Sequence, residues 1–180
     1  MPNPDAVNHF WFNELEREDW FARSDALDQQ IANRFTHVHA CAARGELSGW
    51  RASIKGRLAE IIVLDQFSRN LFRDSPLAFA TDPMALVLSQ EALKVPERNQ
   101  LNDDEKSFLY LPFMHSESAV IHEQALALFS APGLAQNLSF ELAHKQIIDR
   151  FGRYPHRNQV LGRESTAEEL EFLKKEGSSF

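Results

Sequence analysis

The sequence predicts an all-α protein of about seven or eight helices in one domain spanning residues 1–180. Three observations carry that expectation. Twenty-one leucines and twenty alanines outweigh seven valines, seven isoleucines and three threonines; unbranched side chains keep their freedom in a helix, whereas β-branched ones crowd the preceding turn. Glycine and proline number only seven and eight, so the chain carries few helix breakers. Its apolar residues recur at spacings of three and four, the helical period.

The elements follow in order. Phe10, Trp11, Phe12, Leu15 and Trp20 make residues 8–20 an aromatic anchor. A helix is expected from Ser24, as N-cap, to Gly45, as C-cap, with Leu27, Ile31, Phe35, Val38 and Ala42 on one stripe. A loop at 48–50 leads to a third helix over about 53–70, with Leu58, Ile61, Ile62 and Leu64 or Phe67 inward. After Ser75-Pro76, Asp82 and Pro83 suit the cap and first turn of a helix reaching Lys94. Asn102 and Glu105 form a capping box for the next, which Pro112 should kink or end. The pattern resumes after Glu117 and stops at Pro132-Gly133. Residues 139–151 form a further helix closed by Gly152, and Ser165 with Glu168 boxes the last, to Lys175.

Charge narrows the function. Nineteen Lys and Arg stand against 26 Asp and Glu, a net charge of −7, so nucleic acid is not an expected partner. The opening Met1–Asp5 lacks the features of a signal peptide, and the longest aliphatic run, Ile61–Leu64, falls far short of the roughly 18 residues of a membrane span. No membrane association is expected. With a single cysteine, Cys41, a cytoplasmic location is the natural expectation. His37 lies one turn before Cys41, but the helix places the thiol beside the buried stripe, where a free cysteine acts as a small hydrophobe.

The acidic average conceals a basic island. Between Lys145 and Arg163 five Lys or Arg meet one acid, a segment of +4. Arginine dominates it, as suits planar contacts to carboxylate or phosphate. The island ends near a helix N-terminus at Ser165-Thr166, which favours anions. Asp65/Arg69 and Asp149/Arg153 are spaced to close ion pairs within their own helices, and the remaining arginines have a surplus of internal acids to pair with. His156, Arg157, Asn158 and Arg163 are harder to explain structurally. A second candidate is Tyr110–Glu117, where a proline disturbs a helix beside His-Ser-Glu. His115 and Glu117 there suit acid–base chemistry with His156, while Ser116 or Glu117 capping the next helix is the plainer account. Glu141-x-x-His144 alone does not make a di-iron site, and no phosphate-cradling glycine loop is present. No metal or cofactor is expected.

Repeats are weak. Residues 61–69 and 147–153 both read as an aliphatic pair followed by Asp-x-Phe-small-Arg, 84 residues apart, which is not a multiple of the roughly 34-residue tetratricopeptide period. The stretches Leu64–Asn70, Phe108–Glu117, Phe151–Asn158 and Leu161–Thr166, with Phe10-Trp11-Phe12 and Glu168-Glu169-x-x-Phe172-Leu173, resemble the bacterial family of domains of unknown function numbered 924. The resemblance spans nearly the whole chain. It implies an all-helical, tetratricopeptide-like right-handed superhelix, and it implies no reaction and no catalytic residue.

The expected function is binding of a small anionic molecule in a polar pocket gathering Asp65, Arg69, Asn70, His115, Glu117, Arg153, His156, Arg157, Asn158 and Arg163. Two alternatives stand beside it: a metal-independent hydrolase of a phosphorylated or acylated metabolite using His115, Glu117 or His156, and a module that holds a peptide on a concave helical face. A homo-oligomer is compatible with all three.

Overall fold

A computed structural model describes residues 3–180; Met1 and Pro2, at the head of the stretch read as lacking leader features, lie outside the described residues. Among the described residues the secondary structure is helical throughout, with no strand. The chain forms two compact units, one built from residues up to Arg73 with Leu77–Pro112, the other from Asp74–Pro76 with Phe113–Phe180.

In the first unit, α1 (Pro4–His9) is capped by Asn3, whose side chain accepts from Asp5 N, and continues as a π-helical turn over Phe10–Glu14. Helix α2 (Asp25–Ala43) is capped by Ser24 and ends beside Gly45 at φ +74°, the left-handed turn a glycine allows. The expected loop at 48–50 is a 3-10 turn, Ser48–Ala52. The third predicted helix has its expected extent but not its expected form. It runs as α3 (Ile54–Ile62), a π segment (Val63–Phe67) and α4 (Ser68–Leu71). Side chains serve the backbone there: the Leu64 carbonyl accepts from Ser68 Oγ at 2.6 Å and Thr81 Oγ1 at 2.7 Å, and His39 Nε2 lies 2.7 Å from Ser68 Oγ.

Helix α5 (Asp82–Ala92) takes Thr81 as its N-cap, one residue earlier than expected, which frees the Asp82 carboxylate for Arg69. The Asn102/Glu105 capping box of α6 (Asp103–Met114) closes reciprocally at 2.9 and 3.0 Å. Pro112 sits inside the last turn, and the helix ends two residues beyond it. The core of this unit is aromatic: Phe35 meets Phe10 and Phe67 at 5.1 and 4.9 Å between ring centres, and Trp11 sits edge-on to Phe67 and Phe108.

In the second unit, α7 (Ala119–Phe129) packs on α8 (Ala135–Phe151), which begins four residues before the expected Ser139. Gly152 ends α8 at φ +69°. A 3-10 turn, Pro155–Arg157, packs against α9 (Ala167–Leu173). The capping box of α9 is Thr166 with Glu169, one position beyond the expected Ser165 and Glu168. Ile147, Ile148 and Tyr154 form a core cluster, with Phe151 and Phe172 against it.

Candidate functional site

The second unit joins the two segments that the sequence singled out. Tyr154 N donates to Glu117 Oε1 at 2.7 Å, and Arg157 Nη2 donates to the His115 carbonyl at 3.0 Å. The arginines of the basic island are mostly engaged with the protein's own acids. Arg163 makes a two-pronged pair with Glu117, at 2.6 and 2.8 Å, and its Nε donates to Asn158 Oδ1 at 3.0 Å. Asn158 is fully buried, and its amide donates to Ser165 Oγ and Glu169 Oε2. Arg153 grips Glu169 at 2.7 and 2.8 Å and also reaches the Glu164 carbonyl.

Glu117, Arg163, Asn158, Glu169 and Arg153 thus form one continuous network that fixes the loop between α8 and α9. Two local expectations are corrected by it. Arg153 does not pair with Asp149, because the left-handed turn at Gly152 takes it off the helix; Lys145 holds Asp149 instead, at 2.7 Å. Nor does Glu117 or Ser116 cap α7: the N-cap is Ser118, with no side-chain hydrogen bond.

Electrostatics agree with the geometry. Burial would raise the Glu117 carboxyl, but hydrogen bonds from Arg163 and Tyr154 N hold it below the usual range. The Arg153 guanidinium, aided by Thr166 N, holds Glu169 at about 2.

Asp65, Arg69 and Asn70 belong to the first unit and have partners there. Arg69 clasps Asp82 at 2.9 and 3.0 Å and donates to the Asp65 carbonyl, with the Asp65 carboxylate 3.4 Å away. Gln66 Nε2 donates to the buried Asp65 carboxylate. Asn70 and Arg73 share Asp28. Burial raises the Cys41 thiol, away from reactivity, with His37 3.8 Å from the sulfur.

A further constellation escaped the sequence reading. Tyr154 is surrounded by imidazoles: His156, His144 and His122 lie with ring centres 5.6, 5.7 and 6.3 Å away. The Arg157 guanidinium lies 4.6 Å over its ring. Burial drives His144 down to about 3, and nearby His115, His122 and His156 push the same way. Phe180 stacks on His144 at 3.7 Å.

Beneath them is a fully buried pair, with His122 Nδ1 2.7 Å from Glu141 Oε1 and His122 Nε2 2.8 Å from the Ser116 carbonyl. Burial raises the Glu141 carboxyl. The hydrogen bond from His122 opposes that rise. Glu141 Oε2 has no hydrogen-bond partner among the described residues. The signal for this constellation was present in the sequence: Glu141 and His144 fall on the same helical stripe as Ile147, Ile148 and Phe151, where a polar residue needs a partner. Among the described residues no group of three or more His, Cys, Asp or Glu could hold a metal, and no helix is long and apolar enough to cross a membrane.

An all-helical chain with a clamped loop beside an imidazole cluster is thus the class of protein that the architecture defines. The chain belongs to the family described as bacterial protein of unknown function (DUF924), whose profile matches residues 7–177. It is similar to a solved structure, that of the protein of unknown function ATU0120 from Agrobacterium tumefaciens. That protein is 36% identical, with a TM-score of 0.90 over 95% of this chain and 96% of the other. No curated protein matches the chain.

Proposed function

We propose that the protein binds a small anionic molecule, bearing a phosphate or carboxylate, at the histidine cluster of the second unit. The observation that carries this reading is the placement of His144 and His156 against the Tyr154 ring, with His115 near enough to act on His144 and Arg157 over the same ring. His115 and His156 are half-buried and reachable, while His144 lies deeper. Imidazoles offer N–H donors, and their charged forms repel one another unless an anion lies between them. In this reading the Arg153, Asn158, Arg163, Glu117 and Glu169 network shapes the loop and does not itself meet the ligand. The same reading puts the protein in the cytoplasm, with helices paired as in tetratricopeptide-like arrays, for which the packing of α7 on α8 is the support.

The test is the melting temperature of the full chain in inorganic phosphate and in succinate at about pH 6 and about pH 7.5. A ligand that binds only the folded state raises it with concentration. The rise should disappear in His156→Ala and shrink in His115→Ala. A melting temperature indifferent to both anions at both pH values overturns the reading.

A further inference from the structure

One cavity of the second unit shares no lining residue with the histidine cluster. It measures about 240 Å³ and is walled by Gln146, Ile147, Arg150 and Phe151 from α8 and by Phe172 from α9. The floor is aromatic: Phe151 and Phe172 meet at 5.1 Å with a tilt of 52°. The guanidinium of Arg150 lies above it, 4.7 Å from the centre of Phe151 and 5.9 Å from that of Phe172. Gln146 and Arg150 stand four residues apart on α8, so both project to the same side.

Arg150 differs from the other arginines of the basic island. Its Nε and Nη2 both donate to a single oxygen of Glu168, at 2.8 and 2.6 Å. The side chains of that pair are 46% and 63% exposed, and an ion pair so open to water is weak and readily exchanged. Arg153 and Arg163, by contrast, hold more buried glutamates with both prongs. Of these three arginine–glutamate pairs, that of Arg150 is therefore the one another carboxylate can displace at least cost.

We propose that this cavity is a binding site for a small aromatic carboxylate. The ring lies against Ile147, Phe151 and Phe172, and the carboxylate takes the Arg150 guanidinium from Glu168, with the Gln146 amide as a further donor. Size supports the assignment: an apolar cavity of about 150 Å³ holds a benzene ring, so 240 Å³ holds one ring and a short acidic arm. Aromatic walls favour a tilted third ring over an aliphatic chain, and the guanidinium favours an anion over a neutral ring.

Phenylacetate titrated into the full-length protein, followed by ligand-observed NMR and calorimetry, tests the proposal. Binding is expected for phenylacetate, with benzyl alcohol and acetate each weaker by about tenfold, because each lacks one half of the recognition. Arg150→Gln, a change at a solvent-facing side chain, should weaken phenylacetate about tenfold while leaving its melting temperature near that of the unaltered chain. Phe172→Leu should weaken phenylacetate and benzyl alcohol alike. His156→Ala should leave phenylacetate binding unchanged, which separates this site from the histidine cluster. No binding of phenylacetate, equal binding by Arg150→Gln, or loss of binding in His156→Ala overturns the proposal.

Discussion

Gly56 shows how much one methyl group can decide. A Cβ placed there would lie 1.9 Å from the Trp50 carbonyl oxygen, and that oxygen belongs to backbone that cannot swing aside as a side chain would. Gly56→Ala is therefore expected to destabilise the protein by about 1–3 kcal/mol, the range for overpacking, despite alanine's better helix propensity. A urea midpoint equal to that of the parent chain would contradict this. The sequence alone shows a glycine inside a helical pattern and nothing of the carbonyl pressed against it. Residue identity was legible at this position; the close approach that explains it was not. The histidines tell the same story. His156 and His115 stood out because loops put polar residues on view, whereas His122 lay hidden in a helical stripe and His144 read only as half of an incomplete metal motif; their shared surroundings come from the packing of α7 on α8.

Among the elements, helix ends were the most legible feature. Ser24, Ser53, Asn102 and Gly152 all terminate helices as their chemistry requires. Two of the errors were shifts of one residue, at Thr81 and Thr166, where adjacent residues could each cap and tertiary partners decided between them; α8 began four residues early, at Ala135. Glu169 is at N3 because Arg153 and Asn158 also need it. The π segment at Val63–Phe67 could not be read, since the apolar pattern of Ile61, Ile62, Leu64 and Phe67 suits a continuous α-helix equally well. What secures this segment lies elsewhere in the chain, in Thr81 and His39. Ser68→Ala removes the hydroxyl that joins Leu64 O, His39 and Thr81 in a buried setting. The expected cost is about 1–3 kcal/mol, the penalty for unsatisfied buried groups, against a few tenths for Ser130→Ala, whose hydroxyl is exposed. Denaturation midpoints of the two variants check the contrast.

For the molecule as a whole, the segregated charge seen in the sequence becomes a pH dependence of stability. Burial keeps His144 at about 3 and lowers His39. Below a free histidine's 6.5 the unfolded chain therefore takes up protons that the folded chain refuses, and stability falls as the pH falls. Glu169, at about 2, and the lowered Glu117 and Asp28 act later: their contribution is complete above the usual carboxylate range and is lost as pH falls towards about 2. Glu141, raised by burial, opposes the trend, since its folded state favours the proton. Acid unfolding should accordingly begin in the histidine range and steepen in the carboxylate range. His144→Gln is expected to flatten the first stage, and Glu169→Gln the second, in denaturant melts between about pH 7 and pH 3. Unchanged slopes would refute the assignment. The basic island was visible in the sequence, and Glu117 was expected beside it; that Glu117 would neutralise Arg163 and Glu169 would neutralise Arg153 was not legible, because pairing over long sequence separation depends on the fold.

The π segment also bears on how this chain tolerates insertion and deletion. A π turn is a helix with one residue more than its hydrogen-bond ladder needs, so the chain between Ile62 and Ser68 carries a spare position. Deleting Gln66 would let the ladder close as ordinary α-helix, with an unbroken spiral and no gap to repair. Because the widened turn absorbs that extra residue, the residues beyond it would keep their phase, and Ser68, Arg69 and Asn70 would still face His39, Asp82 and Asp28. A deletion in the regular turns of α3, where nothing absorbs it, would instead swing all three away by about 100°, the angle of one helical step. The irregularity is slack in the frame, confined to the one turn that can lose a residue without misaddressing the contacts downstream.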